Sequence, residues 1–236
     1  MERKQNQEAA ERFFAEVRIR LNQAGFASQP MEDGLLPVDW RGLRLCRVTS
    51  DGDVRFRSED VARDNVREAL DKLCDITREA AEYMRLMEEA PPLKATGLDE
   101  SYKLLADFNG TVLAGHTTRM GVQFITWEWD YSHTGMWQGH YYGGDYAKAK
   151  QDFAVRAGLL ERDQLYTPEQ QTEIYRAIHE TLESDYSMTV ERQELLESTA
   201  KQIERNVPDL HERVEHSNQQ ELAAGGETVH GQEMLL

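Results

Sequence analysis

The stretch YKLLADFNGTVLAGHTTRMGVQFITWEWDYSHTGMWQGHYYGGDYAKAKQDFAVRAG, from Tyr102 to Gly158, decides the fold. It contains three of the four tryptophans and most of the turn signals. LLADF and TVLAGH are apolar runs separated by Asn109-Gly110, a pair suited to a two-residue hairpin turn because both residues tolerate positive φ. In the next run Val122, Phe124 and Thr126 alternate with Ile125, Trp127 and Trp129. A strand that is apolar on both faces is expected to be central. Tyr131 to Gly135 turns the chain, and MWQGHYY reads as a fourth strand. Every connection is short, so an antiparallel meander follows. Gly143-Gly144-Asp145 ends the sheet and starts a helix with a buried stripe of Tyr146, Ala149, Phe153 and Ala157, closed by Gly158.

Upstream, residues 8–24 place Ala9, Phe13, Val17 and Leu21 at four-residue spacing, one apolar stripe of a helix that Gly25 stops. The segment GLRLCRVTSDGDVRFR reads as a hairpin turning at Asp51-Gly52. Ser58 is expected to cap a long helix, with Glu59 and Asp60 in its first turn, that runs to Glu88 or Glu89 before Pro91-Pro92. Downstream, Thr167-Pro168-Glu169-Gln170 is a capping box. Ile174, Ile178 and Leu182 follow it, and a second helix from about Val190 ends near Val207-Pro208. These two helices are expected to pair as an antiparallel hairpin against the sheet. The fold class is therefore α+β: an N-terminal helix, a β-hairpin and a long helix, then an antiparallel β-meander followed by three helices. The expected organisation is a lobe at 1–90, a linker at 91–100, a meander-plus-helices lobe at 101–207 and a flexible polar tail at 208–236.

The formal net charge of -16 argues against unaided binding to a nucleic-acid backbone, where Lys and Arg must replace counterions. Residues 161–236 carry 17 acidic against 6 basic side chains, a balance of -11 that leaves -5 for the first 160. A partner selected by charge would be basic. The longest apolar stretches are far too short for a membrane span, and the charged start MERKQNQEAAERFF lacks an apolar leader core, so a cytoplasmic protein is expected. Cys46 and Cys74 lack metal or redox spacing and read as reduced core thiols.

His116, His133 and His140 lie near Glu128, Asp130 and Asp145, but their spacing matches no metal motif, and no cofactor or catalytic residue is assigned. Trp127, Trp129, Tyr131, Trp137, Tyr141, Tyr142 and Tyr146 crowd into 20 residues. Most fill core, and Trp129 and Trp137 are expected to face outward as a contact surface for a partner. Arg41, Arg44, Arg47, Arg55, Arg57, Arg63 and Arg67 form a basic patch on the first hairpin and the helix after it. Of these, Arg44, Arg47, Arg55 and Arg57 are the alternative phosphate contacts, although the acidic residues among them favour internal pairing. Glu180, Glu183, Glu191, Glu194 and Glu197 recur at three-residue spacing within their helices, with Glu204 near the same face. Carboxylates along a rigid rod can imitate a row of DNA phosphates and occupy a basic groove.

The run from Tyr102 to about Pro208, with FNGTVLAG, GVQFITWEWD, GHYY and AKQDFAVRAGLL, resembles accessory domains of phage and conjugative-element proteins. The resemblance implies a mobile-element context, in which small acidic antirestriction or anti-CRISPR inhibitors occur. The leading expectation is a non-enzymatic protein that inhibits or regulates a host nucleic-acid-binding protein of nuclease or methyltransferase type, through the acidic helices and the aromatic sheet. The alternatives are a nucleic-acid-binding module built on the arginine hairpin and tryptophans, and a metalloenzyme dependent on His116, His133 or His140.

Overall fold

A computed structural model describes residues 2–59, 61, 63–184, 187–207 and 209–232, with side chains described for 7–223 of these. The expected first-turn residue Asp60, the helix-ending Pro208 and the tail residues 233–236 lie outside the described residues. Among the described residues the chain forms six α-helices and two four-stranded antiparallel sheets, the expected α+β class. It divides into two compact units, Met1–Leu160 and Glu161–Leu236.

In the first unit α1 (Glu2–Gln23) precedes a small sheet of β1 (Ala27–Ser28), β2 (Leu36–Trp40), β3 (Leu43–Val48) and β4 (Val54–Arg55). The expected hairpin is the β3–β4 pair, with Val48 opposite Val54 and Gly52 at φ 87° in its turn. Sequence reading missed a second hairpin, β2–β3, whose two-residue turn is Arg41-Gly42 with φ of 50° and 79°. Arginine is a weak turn signal, and its guanidinium lies 4.5 Å over the Trp40 ring. The long helix α2 runs Asp64–Glu89. It starts later than Ser58 because Val61 first turns into the core, 4% exposed, and Arg63 takes the N-cap position without a side-chain cap.

The meander is as expected: β5 (Lys103–Phe108), β6 (Thr111–Thr118), β7 (Gly121–Trp129) and β8 (Met136–Gly143) lie in that order, all antiparallel. Asn109 and Gly110 have φ of 49° and 80°, the two left-handed residues that the tight turn requires. Asp145 caps α3 (Tyr146–Arg156) by accepting the Lys148 N–H, and Gly158 ends it at φ 70°.

Residues 91–100 do not divide two cores. One continuous core joins Phe13, Val17 and Leu21 of α1, Leu73, Ala80 and Tyr83 of α2, Val38 and Val48 of the small sheet, and Phe124, Tyr146 and Phe153 from the meander and α3. Helices α1 and α2 thus pack against both sheets. The 91–100 segment is instead tied onto the meander by Leu93 N–H to Tyr102 C=O at 2.8 Å and Thr96 N–H to Thr134 C=O at 2.7 Å. Leu93 and Leu98 cover the outer sheet face there, beside Val112, Ala114, Ile125 and Trp127.

In the second unit α4 (Pro168–Glu183) opens with both hydrogen bonds of the capping box, and α5 (Val190–Asn206) is capped by Thr189. The short connection and the bond from the Tyr175 hydroxyl, midway along α4, to Glu204 near the end of α5 make the pair antiparallel. Within the stretch expected as a polar tail, Leu210–Gln232 forms the helix α6. Its few apolar residues suffice because Leu210 and Val214 join the core of Tyr175, Ile178, Ala200 and Ile203. Arg176 of α4 adds charged hydrogen bonds to Asn218 at 3.0 Å and Glu221 at 2.6 Å.

Candidate functional site

Glu180, Glu183, Glu191, Glu194, Glu197 and Glu204 are all exposed on α4 and α5. The helices turn these residues outward because Ile178, Ala200 and Ile203 take the buried stripe. At about 100° per residue, Glu194, Glu197 and Glu204 lie within roughly 80° of one another around α5, and Glu191 lies about 60° beyond Glu194. The row is not uniform. Lys201 and Arg205 fall within the same arc, and both line a shallow depression with Glu194 and Glu197. Glu204 accepts the Tyr175 hydroxyl at 2.8 Å, and Glu197 accepts the Gln193 amide at 2.9 Å. Sequence reading named the carboxylates but not these interposed cations, which the three- and four-residue spacing of α5 already contains.

The two aromatic residues expected outside separate. Trp137 is 52% exposed, whereas Trp129 is half-buried and packs against the outer-face cluster. Tyr131 and Tyr141, which the sequence alone did not single out as outward, are 110% and 72% exposed. Alternation along β8 is broken by two register shifts against β7, and that hid the outward positions from a simple odd-even count.

Among the described residues, three arginines of the patch are ion-paired within the molecule. Arg44 donates to Asp39 at 2.7 Å and lies 3.5 Å from Glu32. Arg47 lies 3.7 Å from Glu32, and Arg57 lies 3.9 Å from Glu59. Arg55 stands directly opposite Arg47 in the β3–β4 ladder.

The three histidines occupy separate places in the meander. His116 bonds the Ser101 carbonyl through Nδ1 at 2.9 Å and meets Glu100 at 3.3 Å. His133 lies against Trp129 with ring centroids 5.7 Å apart. His140 meets Asp152 of α3 at 3.2 Å. Burial alone would raise the Asp152 carboxyl, but hydrogen bonds from Thr126, Tyr142 and His140 outweigh it and hold the carboxyl below its ordinary value. Among the described residues, no three of His, Cys, Asp and Glu converge in a metal-binding arrangement. Cys46 is buried, and burial pushes its thiol up to about 12. That is far from a nucleophile at neutral pH.

A feature that sequence reading missed lies in the core of the first unit. Glu16, 4% exposed, accepts the Val122 N–H at 3.0 Å, the Tyr83 hydroxyl at 2.7 Å and the Arg20 Nε–H at 2.8 Å. Arg20 in turn donates to the Val122 carbonyl. The last β7–β8 pair is Phe124 with Gly143, so the two side chains of α1 take up the Val122 backbone groups where β8 has ended. In sequence, Glu16 and Arg20 are indistinguishable from an ordinary solvent-facing i,i+4 pair. The supporting glycines carry the only legible trace. A Cβ on Gly144 would fall 1.5 Å from an Arg20 nitrogen, and one on Gly121 would fall 2.9 Å from a Glu16 oxygen.

Comparison with protein families, curated proteins and solved structures found no match for this chain. Among the described residues, no helix is long and apolar enough to cross a membrane.

Proposed function

We propose that the chain is a non-enzymatic interaction protein whose acidic helical unit engages the basic surface of a nucleic-acid-binding protein and thereby inhibits or regulates it. One observation carries this reading: all six carboxylates of α4 and α5 named from sequence stand in solvent, on a unit whose own balance is -11. Rigid helices hold them at fixed separation, so a basic groove meets a preorganised negative surface rather than a flexible acidic tail. The internal pairing of Arg44, Arg47 and Arg57 leaves less support for direct phosphate binding by the first hairpin. An antirestriction or anti-CRISPR-like role in a mobile element is the finer form of the proposal, and it rests on the sequence resemblance alone.

The test is inhibition of DNA binding by a panel of purified restriction nucleases, DNA methyltransferases and RNA-guided nucleases, titrated with the full chain at two salt concentrations. Binding should weaken as salt rises, because the groups involved are exposed and screened. The triple variant Glu191→Lys, Glu194→Lys, Glu197→Lys should lose at least about tenfold in affinity, around 1.4 kcal/mol. Unchanged inhibition by the triple variant would exclude the acidic face as the contact.

A further inference from the structure

We infer that the cleft beside the β7–β8 turn is a binding site for a methylated ammonium ion, the group carried by a trimethylated lysine side chain or a choline headgroup. The site is independent of the acidic helices. The cleft has a volume of about 630 Å³, and Trp129, Tyr131 and Trp137 line it together with Glu128, Asp130, Arg156 and His133, whose ring lies 5.7 Å from that of Trp129. That volume suits a small ligand or a single side chain.

The two indole N–H groups and the Asp130 carboxylate of this cleft already have hydrogen-bond partners, and this selects the ligand. The Trp129 indole N–H donates to Asp107 at 2.9 Å, and the Trp137 indole N–H donates to the Trp129 carbonyl at 3.1 Å. Both indoles are thereby fixed in orientation, and what they offer a ligand is ring surface rather than a donor. Asp130 accepts the Ser132 hydroxyl at 2.9 Å and the Thr134 N–H at 3.0 Å. The Thr134 N–H is the chief cause that holds its carboxyl below the usual carboxylate range. Glu128 accepts from Arg156 at 3.1 Å. The charge of Arg156, whose side chain is 8% exposed, is offset by Glu128 and by Asp152 at 3.7 Å, so Asp130 leaves the cleft net negative.

An ammonium or guanidinium bearing N–H groups must replace each hydrogen bond it had to water, and here Asp130 already accepts two donors and Glu128 already holds Arg156, so fewer acceptor sites remain for it. A quaternary ammonium has no N–H to satisfy. It needs aromatic faces and a negative field, and attraction of this kind is worth about 0.5–2 kcal/mol per favourable ring contact.

The full chain is titrated with tetramethylammonium, choline, a peptide carrying trimethyllysine, its unmethylated counterpart, and the neutral carbon isostere of choline. Binding is followed by tryptophan fluorescence and by the indole N–H shifts of Trp129 and Trp137. Saturable binding of tetramethylammonium is expected, about tenfold tighter than binding of the neutral isostere. Trp137→Ala should abolish it. Tyr131→Ala removes a ring that lies wholly in solvent and so spares the fold, and it should weaken binding several-fold. The choline and peptide arms identify the source of the cation. Equal binding of the isostere, no saturable response to any methylated cation, or full binding by both variants would overturn the assignment.

Discussion

Removing the Glu16 carboxylate would strand three partners at once: the Arg20 guanidinium, the Tyr83 hydroxyl and the Val122 N–H. A buried charge that loses its counter-charge typically costs about 3–5 kcal/mol. Glu16→Ala should therefore lower stability by that amount in urea denaturation followed by tryptophan fluorescence. Glu11→Ala, on the exposed side of the same helix, should change it by less than about 0.5 kcal/mol. A cost below about 1 kcal/mol for Glu16→Ala would show that the pin contributes little. Both residues are glutamates in one helix, and their sequence neighbourhoods do not separate them. The partner that decides Glu16 lies 106 positions away, which local periodicity cannot see.

At the scale of elements, the strands and helices legible in the sequence were those with strong local chemistry. Asn109-Gly110, the Thr167 capping box, the Asp145 cap and Gly158 all act within a few residues of themselves, and each lies where the chain turns, starts or stops. The α6 helix was not legible, because its composition is polar and its stability depends on neighbours. Leu210 is 4% exposed against the α4–α5 core, whereas Leu222 on the same helix is 77% exposed. Leu210→Ala should cost roughly 2–5 kcal/mol of second-unit stability, and Leu222→Ala less than about 0.5 kcal/mol. Hydrogen exchange of the α4 amides measures both, and equal effects of the two variants would mean that α6 does not pack as described.

For the whole molecule, the two units have separate cores and unequal charge, -5 and -11. All four tryptophans lie in the first unit, so their fluorescence reports that unit, while helical circular dichroism reports both. Self-repulsion among like charges destabilises the compact state and is screened by salt. Urea midpoints should therefore rise with sodium chloride more for the dichroism change that leaves fluorescence untouched than for the fluorescence change itself. Coincident transitions with equal salt shifts would show that the charge of the second unit does not govern its stability.

The acidic candidate surface was legible because net charge and helical spacing are properties of the chain, and exposed positions are the default for glutamate. The interposed Lys201 and Arg205 were equally present in the sequence but gained meaning only once the buried stripe of α5 fixed which way the helix faces. The aromatic cleft was less legible, since the register shifts in β8 decide which rings look outward. The sequence by itself determined the α+β class, the meander, the helices that have strong caps or stripes, and the uneven charge, because hydrophobic period, turn conformation and composition are local. Only the tertiary structure decided that α1 and α2 share one core with both sheets. It also decided that one glutamate is buried as a pin while six others meet solvent, because desolvating a charge depends on partners that only folding brings together.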